Sequence, residues 1–259
     1  MSRACRRGGR ARGDPGPPSV MRVALVHGFL GAPADWAEVL ALLPSGIACD
    51  CVPLTALGCD SVEEAATHLA TRLEREPCDL LVGYSMGGRI ALELAATRPS
   101  LAPRLLLLAA SPGIEAADER AHRAAEDDAR AEAILRDGLD RFVDAWYRLP
   151  IFAPFAAHPS FSSTRLRRAQ GEAAFWARCI AGCSPGRAPA RWNALPELAS
   201  RTVFAAGALD ERYAAFAARA GALAPGLRVE IIAAAGHVLP LEAPAACARL
   251  IEHTLRITP

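Results

Sequence analysis

The sequence predicts an α/β fold: a mainly parallel six-stranded sheet flanked by helices, with a helical insertion over one edge. Three observations predict it. Six short runs are rich in Val, Leu, Ile and Ala, the composition of strands buried on both faces. Helical patterns fall between them, the alternation that builds a parallel sheet. One connection, between residues 110 and 201, is too long for a structureless loop and carries helical patterns of its own.

In chain order, strands are expected over 22–27, 48–53, 79–84, 104–110, 201–207 and 228–234, several of them followed by Gly or Pro turns. Helices are expected over 35–43, 61–75, 86–98, 214–223 and 244–255. Pro99 limits the third, because a proline cannot continue a helix interior. Within the long connection, 115–136, 139–146 and 171–183 read as helices, so 112–194 is expected to be a helical cap above the C-terminal edge of the sheet. The core is then 21–111 together with 195–259. Residues 1–20 stand apart: Arg3, Arg6, Arg7, Arg10 and Arg12 sit among Gly and Pro with one acid, Asp14, and no apolar segment follows them as in an export signal. They read as a disordered N-terminal extension, and Met21, directly before the first strand, as an alternative start.

Composition narrows the function. Apolar residues make up 52% of the 259, enough for a large core, yet no apolar run approaches the roughly 20 residues of a membrane span. The formal net charge of +1 gives no reason to expect a nucleic-acid partner. The eight cysteines form no C-x-x-C pair and no zinc spacing, so a reducing, cytoplasmic setting is expected, without a metal or cofactor. All 29 basic residues are Arg, so every fixed positive charge is a planar fork suited to carboxylates.

The chemistry is carried by Gly83-Tyr84-Ser85-Met86-Gly87, a G-x-S-x-G motif between the strand-like Leu80-Leu81-Val82 and a helical run from Arg89. Strand, tight turn and helix around a serine make a nucleophile elbow, the signature of the α/β-hydrolase fold. A serine needs a base, and that base needs an orienting acid. His237 follows the last strand in Ala235-Gly236-His237, and Asp210 follows the preceding one in Gly207-Ala208-Leu209-Asp210. Both fall at C-terminal strand ends, and the order Ser, Asp, His is the one this fold uses. The oxyanion hole is assigned to the backbone N–H groups of Met86 and of Phe29, in His27-Gly28-Phe29-Leu30-Gly31. His27 itself is read as structural.

Over residues 23–245 the chain resembles one branch of this fold, the 2-succinyl-6-hydroxy-2,4-cyclohexadiene-1-carboxylate synthases of menaquinone biosynthesis. The resemblance rests on Val26-His27-Gly28-Phe29-Leu30-Gly31 with Asp35-Trp36, on the elbow extended through Gly88-Arg89, and on Ser111-Pro112-Gly113-Ile114 with Glu119-Arg120-Ala121-His122-Arg123. Its most distinctive piece runs from Phe142-Val143-Asp144-Ala145-Trp146 through Tyr147-Arg148-Leu149-Pro150-Ile151-Phe152, and it ends on Gly207 to Tyr213 and Gly236-His237. It implies a cofactor-free carbon–oxygen lyase that eliminates pyruvate from an enolpyruvyl-cyclohexene carboxylate. The triad would abstract a proton, and Tyr84, Arg89, Arg123, Trp146 and Arg168 would hold a small polycarboxylate substrate. The alternative on the same scaffold is a carboxylesterase or carbon–carbon bond hydrolase acting on an acidic substrate. Where such enzymes carry a D-x-P-G-H-G-like stretch after the second strand, this chain has Val52-Pro53-Leu54-Thr55-Ala56-Leu57-Gly58-Cys59-Asp60.

Overall fold

The apolar runs form six strands, all parallel, in the order β2-β1-β3-β4-β5-β6: β1 Met21–Val26, β2 Ile47–Val52, β3 Leu80–Tyr84, β4 Leu105–Leu108, β5 Thr202–Gly207 and β6 Arg228–Ile232. This computed structural model describes residues 20–258, so the extension expected over 1–20 lies, but for Val20, outside the described residues. The middle strands are covered on both faces. β3, β4 and β5 are buried along their whole length, whereas the edge strands β2 and β6 are half exposed. Each fully buried Leu of β4 contributes about 1.5–3 kcal/mol by leaving water.

The helices are α1 Ala37–Ala41, α2 Val62–Arg75, α3 Met86–Thr97, α4 Ala117–Asp137, α5 Leu139–Tyr147, α6 Ala153–Ala156, α7 Phe161–Arg168, α8 Ala173–Gly182, α9 Leu195–Leu198, α10 Glu211–Leu223, α11 Leu239–Glu242 and α12 Pro244–Leu255. One group covers the sheet with α3 on β3 and β4 and α2 beside it; a second has α12 on β3, β4 and β5 with α1 beside it. Between β4 and β5 run α4 to α9, with α4 packed against both α5 and α8. None of the described helices is long and apolar enough to cross a membrane.

Some boundaries depart from the sequence reading for local reasons. The helix expected over 35–43 begins as a 3-10 turn at Pro33–Trp36 and becomes α-helical only at Ala37. α10 begins three residues before the expected 214, because the Asp210 carboxylate accepts the Tyr213 N–H and caps it. β4 stops at Leu108, because Ala109 takes φ 44° and cannot continue a strand. The short α6, α7, α9 and α11 carry too little periodicity to stand out in the sequence.

Candidate active site

Catalytic geometry starts from one strained residue. Ser85 links β3 to α3 at φ 52° and ψ −111°, a conformation that costs a non-glycine residue about 1–3 kcal/mol. The flanks hold it there: the Ser85 N–H donates to Leu108 O at 2.9 Å, and its carbonyl accepts from Arg89 N–H at 3.2 Å. The turn is tight enough to exclude side chains. A Cβ on Gly87 would lie 2.3 Å from Val26 O, and one on Gly83 would lie 2.5 Å from Gly87 O. Among the described residues, the other non-glycine residues with positive φ are Leu30, Cys59, Ala109 and Ala234, and each follows the C-terminal end of a strand. Backbone strain is concentrated on the edge of the sheet that carries the site.

β5 and β6 are neighbours, so the loops that follow them meet. His237 Nε2 lies 3.0 Å from Ser85 Oγ, and His237 Nδ1 lies 2.7 Å from Asp210 Oδ2. With Oδ2 on the imidazole and Oδ1 capping α10, both carboxylate oxygens are engaged and the acid cannot swing away. The imidazole is confined by Tyr213, Tyr84 and Phe152, whose ring centroids lie 4.5, 5.7 and 5.8 Å away. Glu242 completes the mount. Its carboxylate accepts the N–H groups of Gly236 and Val238, the residues on either side of His237. Sequence reasoning missed Glu242, which sits in the short α11 and has no motif of its own.

The residues assigned as oxyanion donors, Phe29 and Met86, line the same cavity as Ser85. Among the described residues, no hydrogen bond within the protein uses the backbone N–H of Phe29 or of Met86, which leaves both for a ligand. The Phe29 loop is pinned from below by His27. Its Nε2 accepts the Leu54 N–H at 3.2 Å, so Nδ1 carries the proton and donates to Gly28 O at 2.9 Å. Burial pushes the His27 pKa down to about 4, which keeps the ring neutral.

Ser85 and His237 open into a cavity of about 650 Å³. Its wall contains Phe29, Met86, Arg89, Arg123 and Trp146, and also Arg130 and Arg212, which the sequence reading did not single out. Arg89 is the unusual group. It is only 8% exposed, yet among the described residues its one side-chain hydrogen bond goes to Cys183 O at 2.9 Å, its Nε has no partner, and no carboxylate pairs with it. Burial lowers its pKa, but guanidinium is basic enough to stay charged. Arg123 and Arg130 are held by Asp127, whose carboxylate accepts Arg123 Nε at 2.8 Å and Arg130 Nη1 at 2.6 Å. The spacing 123, 127, 130 places the three on one face of α4. Trp146 stands edge-on to Phe29 at 5.3 Å, and the Arg130 guanidinium lies 5.9 Å from its ring.

Two expected substrate-binding residues lie elsewhere. Arg168 is not on the cavity wall. Its Nη2 donates to Asp35 Oδ2 at 2.8 Å and its Nη1 to the Tyr147 hydroxyl, while Arg167 takes the other oxygen of Asp35. Burial pushes the Asp35 carboxyl up, but the Arg168 and Arg167 charges outweigh it and hold its pKa below the usual value. Arg168 is therefore a core cation paired with a carboxylate, although its Nε, like that of Arg89, has no hydrogen-bond partner. Tyr84 is 4% exposed and also off the cavity wall, packed beneath Gly28 and beside the His237 ring. Among the described residues, the potential metal ligands that gather closely enough to share an ion are Cys59, Cys179 and Cys183; none of them lies on the cavity wall.

Residues 23–250 match the sequence model described as the Alpha/beta hydrolase family. A Bacillus subtilis protein whose name assigns it provisionally as a 2-succinyl-6-hydroxy-2,4-cyclohexadiene-1-carboxylate synthase is 29% identical, over 93% of this chain and 93% of its own length. The synthase of that name from Serratia proteamaculans is also 29% identical, over 89% of this chain and 91% of its own. Among solved structures, MenH from S. aureus superposes with a TM-score of 0.82 at 24% identity, covering 93% of this chain and 95% of that one.

Proposed function

We propose that this chain, which belongs to the alpha/beta hydrolase family, is a cofactor-free lyase that eliminates pyruvate from an enolpyruvyl-cyclohexene carboxylate, the reaction that leads to the product named in its synthase relatives. The observation that carries the reading is Arg89: a buried guanidinium without a carboxylate partner, on the wall of the cavity that holds Ser85 and His237. A buried unpaired cation is costly unless a ligand anion completes it. Arg123, Arg130 and Arg212 share the same wall with Glu126, Asp127 and Glu211, and Asp127 pairs with both Arg123 and Arg130, so the buried cation left there without a carboxylate is Arg89. We read 112–194 as the cap that closes over this substrate, and the cytoplasm as the setting.

In this mechanism His237 Nε2 takes the Ser85 proton, and Asp210 stabilises the imidazolium. The serine oxygen then removes the proton from the ring carbon that bears the succinyl group. The N–H groups of Phe29 and Met86 stabilise the enolate-like oxygen that develops on the neighbouring carbonyl. The electron pair moves through the ring double bond, the carbon–oxygen bond to the enolpyruvyl group breaks, and His237 supplies a proton to the leaving group, which becomes pyruvate. The arginine forks hold the carboxylates throughout.

A second reading has its own support. A strained serine beside two unoccupied N–H donors also suits acyl transfer, so an acidic ester or a carbon–carbon bond of a ring-cleavage product is the alternative substrate. One experiment separates the two: purified protein is given the enolpyruvyl intermediate, and pyruvate release and the absorbance of the conjugated diene are followed, with an acidic and a neutral aryl ester in parallel. Pyruvate and diene appearing together, at a rate lost in Ser85→Ala, support the lyase. Turnover of the acidic ester alone would replace it with the hydrolase.

A further inference from the structure

Three cysteines from two distant segments of the chain converge behind Met86, which lines the cavity. Cys179 and Cys183 lie four residues apart at the C-terminal end of α8, on one face. Cys59 comes from the loop after β2, in the stretch that departs from the resembling synthases. The loop and the helix end are pressed together: a Cβ on Gly182 would lie 2.2 Å from Asp60 O. All three side chains are fully buried, and their sulfurs all lie within 4.8 Å of one another. Cys179 Sγ is also 3.4 Å from Met86 Sδ.

We propose that Cys59, Cys179 and Cys183 form a site for a single thiophilic d10 cation of the zinc and cadmium class, with the Met86 thioether as a neighbouring soft donor. Three thiolates around an ion at the roughly 2.3 Å zinc–sulfur distance stand about 4 Å from each other, so the sulfurs need to contract by less than about 1 Å. Thiolate and thioether donors select soft ions over magnesium or calcium. On binding, three S–H bonds ionise, three protons leave to solvent and three metal–sulfur bonds form, with no electron transferred. A divalent ion with three thiolates carries one net negative charge, and the Arg89 guanidinium, which already donates to Cys183 O at 2.9 Å, offsets it. Met86 lines the cavity as well as touching Cys179, so the ion's route in is one side chain deep. The site does not depend on which substrate the cavity takes.

The test uses the reduced full-length chain titrated with cadmium chloride. The expected result is one ion per chain, with a thiolate-to-cadmium charge-transfer band and a native mass showing one cadmium gained and three protons lost. Cys59→Ser, Cys179→Ser and Cys183→Ser should each weaken binding by more than the roughly hundredfold that outer-shell partners cost, and Cys51→Ser and Cys247→Ser should leave it unchanged. Binding that survives in the cluster variants, or vanishes in the two controls, overturns the site, as does a titration with no charge-transfer band. If a cluster variant does not fold, anomalous diffraction from cadmium-soaked wild-type crystals decides. A peak among the three sulfurs supports the proposal, and a peak only elsewhere, or none, overturns it.

Discussion

The cavity wall around Arg89 and the core around Arg168 hold the same group at nearly the same burial, 8% and 5% exposed. Their surroundings differ in one respect. Asp35 lies against Arg168 and shares its two oxygens with Arg168 and Arg167, whereas Arg89 meets a backbone carbonyl and an open cavity. One region is an ion pair closed on itself, and the other is half of an ion pair. Burial therefore does not tell a structural arginine from one that awaits a ligand; the presence of a neighbouring carboxylate does. The same contrast orders the expected effects of substitution, because groups that face the cavity should move kinetics and groups that are internally paired should move stability.

The largest effect belongs to the groups in line with the reacting atoms. Ser85→Ala or His237→Ala should lower kcat by about four to six powers of ten, and Asp210→Asn should be severe because an amide favours the wrong imidazole tautomer. The double variant Ser85→Ala/His237→Ala should be little worse than either single one, since groups acting as a unit are not additive. Steady-state rates on the preferred substrate check this, and independent multiplicative losses would dissolve the triad.

Next come the closed pairs. Arg168→Met should cost about 3 kcal/mol in a urea titration, because Asp35 keeps Arg167 but loses its better-buried partner. KM for the acidic substrate should barely change. His27 gives an effect of similar size that appears only with acid. Its folded pKa of about 4 lies below the usual 6.5, so the unfolded chain binds a proton that the folded chain refuses. Stability should therefore be at its full value above pH 6.5 and fall as pH drops towards 4, by about 3 kcal/mol in all. His27→Gln should flatten that part of the profile, and an unchanged slope would place the acid sensitivity elsewhere.

The open half-pair should behave in the opposite way. Arg89→Met removes an unpaired buried charge and should leave the melting temperature unchanged or raise it. It should lower kcat/KM on a polycarboxylate by roughly ten- to a hundredfold, the value of one charge-assisted contact of about 1.5–3 kcal/mol. Arg89→Lys should restore only part of this, since an ammonium lacks the fork. A loss of stability in place of affinity would make Arg89 another Arg168. The smallest expected change is Asp127→Asn, which loosens Arg123 and Arg130 together and should lower kcat/KM on the acidic substrate by less than about tenfold, leaving a neutral ester untouched.

Short-range pattern is legible along the chain without any knowledge of the fold. Runs such as Leu105 to Leu108 read as buried strands because their composition suits a sheet covered on both faces. The elbow is legible because no other residues tolerate the approach of Val26 O at Gly87, and the order Ser85, Asp210, His237 follows from the strand ends that bear them. The tertiary structure alone decided which charges are left over. Arg89 and Arg168 look alike along the chain, and they separate only when folding carries Asp35 to one of them. Glu242 became the mount of His237, and Arg130 and Arg212 reached the cavity wall, without a motif to announce them. Cys59, Cys179 and Cys183 carry no metal spacing, yet the loop after β2 and the end of α8 bring their sulfurs together. The physical reason is common to all of these: backbone periodicity is set by neighbours in sequence, whereas the partner of a charge or a thiol is set by neighbours in space.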